Sequence, residues 1–328
     1  MSGIALTGAA IFDGENVHTD CALLLEEGVI SGIVADPEVP EDARIHRLDG
    51  GTLMPGFVDL QVNGGGGVMF NDNTTRAGVA AIARAHLSTG TRALLPTLIT
   101  DTPERTRAAV DAVEAAIAAG VPGVVGLHLE GPHLSIARKG AHDPALIREM
   151  DDADETFLIE AARRLPTLMV TVAPESVGAD RIARLSAEGI VVSLGHSDCG
   201  FDAACAAFRA GARCATHLFN AMSQLGNREP GLVGATLDSA GVSAGLIADG
   251  IHVHAASIRA AIAAKTGPGS LFLVTDAMST VGSDITEFRL NGRRVLRRDG
   301  RLMLQDGTLA GADLTMTRAL EVLIAQVG

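Results

Sequence analysis

Between residues 54 and 275 the chain repeats one pattern around a cycle, and few folds accommodate it. An apolar run of strand length is followed, in most repeats, by an Ala-rich stretch of helical length. The strand-like runs are 56–60, 92–98, 124–129, 168–172, 190–194, 213–217, 243–248 and 271–275. Segment 103–119 shows the helical half most clearly. Thr102 stands at the N-cap, Pro103 opens the first turn, and Val110, Val113 and Ile117 share one face. Gly90, Gly120, Gly189, Gly211 and Gly267 each fall where a helix must stop before the next strand begins. Eight strands joined by helical crossovers predict an α/β fold with a parallel sheet, most simply a closed (β/α)8 barrel. A doubly wound open sheet is the alternative topology.

The ends of the chain have a different texture. Residues 1–53 are short apolar runs (Ile4 to Thr7, Ala22 to Leu25, Val29 to Val34, Ile45 to Leu48) broken by glycines, which predicts a small all-β domain. Residues 54–328 form the barrel domain. Within it, Asn291-Gly292, Asp299-Gly300 and Asp306-Gly307 mark hairpin turns in 286–309, read as an excursion toward the small domain. A helical segment, 313–326, follows. With 328 residues and 47% hydrophobic content the chain can bury a large core. A net charge of −13 argues against nucleic-acid or membrane-surface partners, and an anionic ligand would need a local cluster of positive groups. No Lys or Arg precedes Arg44, and no apolar run approaches the ~18 residues of a span, so a cytoplasmic protein is expected. Cys21, Cys199, Cys205 and Cys214 include no CxxC pair and read as reduced thiols.

In a barrel of this type the chemistry sits where strands end. The first strand ends in Asp59, Gln61 and Asn63, followed by four glycines, 64–67. The third lies in GLHLEGPHL. Alternation along it sends His128 and Glu130 one way and Leu127 and Leu129 the other, leaving Glu130 at the tip. The fifth delivers His196, the sixth His217, the seventh Asp249 and His252, and the eighth Asp276. Two histidines and a carboxylate with an open position form the catalytic zinc pattern, and the same set describes non-haem iron oxygenases. Those oxygenase sites commonly sit on all-β double-sheet scaffolds, so the barrel counts against them. A divalent ion so held activates water at neutral pH, and Asp276 stands ready as general base and acid. The glycines at 64–67 lack the GK[ST] of a phosphate loop and read only as a place of close backbone approach.

Taken in order, MPGFVDLQVNGGGG, LPTLIT, GLHLEGPHL, KGAHDP, VTVAPE, GHSD, THLFNAM, REPGLVGA, ADGIHVH and LVTDAM resemble the N-acetylglucosamine-6-phosphate deacetylases, a family of the amidohydrolase superfamily. The resemblance runs from about residue 3 to the last residue. It implies a (β/α)8 barrel with a small β-sandwich domain, one divalent metal per chain (zinc, with ferrous iron possible) and a homodimer. It implies Glu130, His196 and His217 as metal ligands, Asp276 as catalytic acid/base, and His142 as a substrate contact that helps polarise the acetamide carbonyl. It also implies sugar-phosphate contacts from Ala141, Asn220, Ala221, Arg228, Asp249 and His252, and a closing loop at Leu309, Ala310 and Gly311. The reaction implied is hydrolysis of the N-acetyl group of N-acetylglucosamine 6-phosphate to the free amine and acetate. The rivals are another amidohydrolase, acting on a cyclic amide or an N-acyl amino acid, and a non-catalytic sugar-phosphate binder.

Two departures from the family pattern stand out. Some relatives carry a pair of histidines at the end of the first strand and bind a second metal there. Here those positions are Gln61 and Asn63, read as vestigial second-metal positions. The chain also stops at Gly328, where the family usually continues, which predicts unpaired edges in the small domain.

Overall fold

A computed structural model describes residues 3–328, and the chain divides after Gly56 into two compact units. In the first unit a four-stranded sheet runs in the order Val29–Ala35, Cys21–Glu26, Ile4–Thr7, Arg44–Arg47. A three-stranded sheet joins Val17–His18, Ala10–Phe12 and Thr52–Leu53. Ala5, Ile11, Ala22 and Leu23 are its buried apolar residues.

The second unit is the barrel. Its eight strands are Phe57–Val62, Thr91–Ile99, Leu127–Glu130, Leu168–Val172, Val191–Leu194, Cys214–Ala215, Ser243–Leu246 and Leu271–Leu273. Each pairs in parallel with the next. The seam closes beyond the end of the eighth strand, where Ala277 bridges Val62 and its carbonyl accepts the Asn63 and Gly64 amides at 2.9 and 3.0 Å. A closed barrel, not an open sheet, is the topology. The helix expected over 103–119 spans Pro103–Ala118, and the Thr102 hydroxyl accepts the Arg105 amide. All five expected stop glycines have positive φ, from 68° to 119°.

The third strand begins at Leu127, three residues later than its apolar run. Val124 already bridges Leu94, but at Gly126 the backbone passes so close to the Thr167 carbonyl that a Cβ would lie 2.2 Å from it, and continuous pairing resumes past that crossing. Outward-facing Leu127, Leu129, Val170, Val172, Val192 and Leu194 pack against helix residues such as Val110, Val113, Leu158, Ile182 and Leu185. Inside the barrel the side chains are layered. Leu95, Met169 and Cys214 form an apolar plug. Next comes a polar layer in which the Thr216 hydroxyl lies 2.7 Å from those of Thr171 and Ser193. His128 bridges Thr97 and Thr171 at 3.3 and 2.7 Å. Beyond this layer lie the strand ends.

After the eighth strand, Glu287–Leu290, Arg293–Arg298, Arg301–Leu304 and Leu309–Ala312 form an antiparallel sheet. Asn291-Gly292 and Asp299-Gly300 turn two of its hairpins with positive φ at both residues, as expected of such pairs. This sheet belongs to the second unit, and Leu290, Val295, Leu302, Leu304 and Ala310 pack on Met69, Ile99 and Met278. Its last strand, Leu309–Ala312, stands where a closing loop was expected. The last α-helix is Met316–Val322, capped by the Thr315 hydroxyl, and begins three residues later than the 313–326 expectation.

Candidate active site and metal centre

The strand ends bring three ligand-type atoms into a tight triangle. Glu130 Oε1 lies 3.0 Å from His196 Nε2 and 3.0 Å from His217 Nε2, and the two ring nitrogens are 3.0 Å apart. All three side chains are buried, at 2, 5 and 4% exposure. His196 Nδ1 is 2.9 Å from the Arg138 carbonyl and must donate to it, so in the neutral ring Nε2 carries a bare lone pair. That lone pair faces a carboxylate oxygen, which is also an acceptor. Acceptors converging on one point call for a cation. Ligands at 2.0–2.1 Å in a tetrahedral shell stand about 3.3 Å apart, close to the triangle's edge. His142 also offers an atom within 4.8 Å of ligand atoms on Glu130 and His196. The 3.0 Å triangle is the better cage, and it leaves His142 at the fourth side.

The backbone is bent to make this convergence. His196, His217 and Asp276 all have positive φ, 47°, 31° and 51°, a region that non-glycine residues rarely adopt. Such conformations cost of order 1–3 kcal/mol each and persist where the surroundings over-determine them. Glycine is required elsewhere at the rim. Gly131 passes so near Thr100 that a Cβ would lie 2.2 Å from its hydroxyl.

Gln61 and Asn63 are not idle. Gln61 Nε2 donates to Glu130 Oε1 and Oε2 at 3.2 and 3.1 Å and to Asp276 Oδ1 at 3.1 Å. Asn63 Nδ2 donates to the same Asp276 oxygen at 2.7 Å. Where two histidines would face a second ion, two amides place N–H groups between the carboxylates. Below them Asp59 accepts the Thr275 hydroxyl at 2.5 Å and the Thr275 amide at 3.2 Å, fixing the residue before Asp276.

The electrostatics follow from these neighbours. Burial opposes the Glu130 charge, but the imidazoles of His196 and His217 set against it outweigh burial and hold the carboxyl well below its ordinary range. Desolvation, with Glu130 second, pushes Asp276 up to about 6, although one edge of its side chain stays open to solvent. Burial, aided by His196, holds His142 well below the usual imidazole value, so its ring is neutral. Burial also pushes the Cys199 thiol up to about 11, which leaves it a protonated, poor ligand.

Most of the other expected residues gather around this centre. The His142 ring meets that of His196 edge-on at 4.3 Å, and a Cβ on Gly140 would lie 4.0 Å from that of Ala221. Asn220 follows His217 in the same bend, its amide bonded to the His217 carbonyl at 2.9 Å. Asp249 grips His252, taking its Nδ1 at 2.6 Å and its amide at 2.7 Å. Gly311 lies against Asp276, and the Ala312 amide donates to the Asp276 carbonyl at 2.9 Å. Arg228 is the exception. It stands exposed on the turn before Pro230, with no hydrogen-bond partner among the described residues.

Two contributors escaped the sequence reading. Thr100 Oγ1 lies 2.7 Å from His142 Nδ1. It follows the second strand, so the strand-end rule could have found it. Arg293 donates to the Ala141 carbonyl from 152 positions away, and no local signal marks it.

A parallel eight-stranded barrel with two histidines and a carboxylate at its strand ends is the architecture of metal-dependent hydrolases. The chain belongs to the amidohydrolase family, whose family model matches residues 52–308. It is 44% identical over 315 residues, 95% of this chain and 79% of the relative, to an N-acetylgalactosamine-6-phosphate deacetylase of Shewanella sp. strain ANA-3. It is 35% identical, over 98% of this chain and 84% of the relative, to the N-acetylglucosamine-6-phosphate deacetylase of Haemophilus influenzae. The crystal structure of N-acetylglucosamine-6-phosphate deacetylase from Pasteurella multocida superposes with a TM-score of 0.94 at 37% identity, covering 99% of this chain and 85% of that one.

Proposed function

We propose that the chain hydrolyses the N-acetyl group of N-acetylglucosamine 6-phosphate, releasing acetate and the amino sugar phosphate. The observation that carries this reading is the buried Glu130–His196–His217 triangle with the Asp276 carboxyl held beside it by Gln61 and Asn63. The 44% identity to a galactosamine-type deacetylase favours a second reading in which the 4-epimer is the preferred sugar.

Glu130, His196 and His217 hold one divalent ion, zinc or ferrous iron, which supplies Lewis acidity toward the acyl carbonyl and toward water. Asp276 takes the proton of the attacking water and returns it to the departing amine, which leaves poorly unless protonated. Burial raises the Asp276 carboxyl above its ordinary range and so makes it the stronger base for the first half of that transfer. His142, neutral and bonded at Nδ1, turns Nε2–H toward the acetamide oxygen as the charge on it develops. Gln61 gives one amide to both carboxylates and Asn63 gives a second to Asp276, which orients the acid/base group beside Glu130. The strand that holds Leu309, Ala310 and Gly311 forms a fixed wall of the sugar site, with Ala141, Asn220 and Ala221 at its edge. His252, oriented by Asp249, and Arg228 take the phosphate. Arg228 can offer a planar fork to phosphate oxygens, in its own chain or across a homodimer. Four unpaired thiols suit a reducing cytoplasm.

Acetate release tests the reading, measured on both N-acetylhexosamine 6-phosphates, on the unphosphorylated sugars and on a cyclic amide, with metal content taken from the same sample. Two charge-assisted contacts, roughly 1.5–3 kcal/mol each, predict a preference for the phosphorylated sugars of about two to four decades in kcat/KM. Arg228→Ala is expected to remove most of that preference and to leave the slow reaction of the unphosphorylated sugar nearly unchanged. Equal rates on phosphorylated and unphosphorylated sugars would overturn the phosphate assignment. Turnover of the cyclic amide alone would overturn the whole reading.

A further inference from the structure

The loop that carries His142 is tied to the late hairpin sheet. Arg293, the first residue of the strand Arg293–Arg298, donates through Nη2 to the Ala141 carbonyl, one residue before His142. It is half-buried and forms no ion pair among the described residues, so its guanidinium has that carbonyl as its bonded partner. The ring itself has a second tie. Thr100 Oγ1 reaches His142 Nδ1 at 2.7 Å, whereas its distance to the Glu130 carbonyl is 3.4 Å. The hydroxyl has one proton: given to Nδ1 it leaves the ring proton on Nε2, and given to the carbonyl it lets the oxygen accept from Nδ1–H instead, so in either case Thr100 fixes the ring at its Nδ1 edge. The loop between these ties is closed by the His142 amide on the Lys139 carbonyl at 3.0 Å, with Gly140 at φ 54° packed under the His196 ring.

We propose that Arg293 is a positioning residue for the deacetylation: by holding the Ala141 carbonyl it makes the 139–142 loop a fixed part of the hairpin sheet, so that the His142 ring meets the acyl group in place. The inference rests on the role given to His142 above. The same sheet carries Leu309–Gly311 against Asp276. The hairpin insertion therefore touches both the acid/base side and the carbonyl-polarising side of the site. Guanidinium and carbonyl are both partly desolvated, and a misplacement of about 1 Å at a reacting group can cost on the order of 100-fold.

The test uses the metal-loaded protein and reads position separately from rate. In 15N-histidine spectra the His142 ring signal is identified by its loss in His142→Gln. Arg293→Ala is expected to lower kcat roughly 10- to 100-fold with KM changed less, to shift or broaden the His142 signal, and to leave metal content and Tm near wild type. Arg293→Lys, which can still reach as a donor, is expected to restore most of both. Thr100→Val removes the partner of Nδ1 and is expected to change the His142 tautomer balance without altering the loop. An Arg293→Ala protein with an unmoved His142 signal, or one with a moved signal and full activity, overturns the proposal. If His142→Gln itself keeps full activity, the role given to His142 fails, and the Arg293→Ala spectrum still decides whether Arg293 holds the loop.

Discussion

In the proposed reaction Asp276 has the most exacting task of any single residue. Its pKa is raised to about 6 by desolvation and by Glu130, so its base form is present above that value and is lost as pH falls through it. A bound cation favours the ionised form. The acid limb of kcat/KM is therefore expected with a midpoint no higher than about pH 6. Asp276→Asn keeps the shape and the Gln61 and Asn63 neighbours but removes both proton transfers, and a loss of about 100- to 10,000-fold in kcat is expected at unchanged metal content. Asn63→Leu makes a subtler change. The Asn63 amide donates to Oδ1 at 2.7 Å and favours the ionised carboxyl, so removing it is expected to move the acid limb to higher pH. A pH–rate profile that does not move would show that Gln61 alone sets the carboxyl. The sequence disclosed the identity of these residues but not their bonding. Gln61 and Asn63 read as remnants of a lost metal site because an amide is a poor ligand. Only the fold reveals that both amides point at carboxylates.

Among the elements, the strands were legible and their ends were not. Apolar runs marked all eight strands and stop glycines five of the helix ends, because burial on both faces and the left-handed turn each leave a compositional trace. Nothing in the sequence announces that His196, His217 and Asp276 sit at positive φ, since the strain there is imposed by the packed strand ends. The third strand pairs from Val124 as its apolar run suggests, but its ladder is interrupted for a similar reason, a close crossing at Gly126 that depends on Thr167. His128 shows what lies inside. Burial lowers its pKa to about 4, below the ordinary value of 6.5. The folded ring thus stays neutral where the unfolded one begins to charge. Its contribution to stability is whole above about pH 6.5 and declines as pH falls toward 4, by up to ~3 kcal/mol. In an NMR titration its ring resonances are expected to stay unprotonated between pH 8 and 5, while urea midpoints decline below 6.5.

For the whole molecule, one metal per chain is the leading expectation. Glu130, His196 and His217 form one cage, and the positions that would build a second offer only amides. Elemental analysis of metal-replete protein is expected to give about one equivalent, and His217→Ala to lose most of it. Two equivalents would mean that Gln61 and Asn63 do not exclude a second ion. The net charge of −13 bears on the substrate at this scale, because a phosphorylated sugar approaches a repelling molecule and depends on the few local cations it meets. Fold class and barrel order were readable from periodicity alone. The dependence of the site on the last sheet was not, because Arg293 and Ala141 are joined by topology and by no motif.

The seam of the barrel has a consequence for how activity is lost. Asp276 donates its amide to the Gln61 carbonyl at 3.0 Å and takes the Ala312 amide on its own carbonyl at 2.9 Å, next to the Ala277 bridge that closes the cylinder. The proton carrier proposed above is thus itself a stitch in the closure. A molecule whose seam has parted, with every helix intact, has already lost its acid and base. Thermal inactivation would then run ahead of loss of helicity, and amide hydrogens of Asp276 and Ala312 would exchange on the same clock as the enzyme dies.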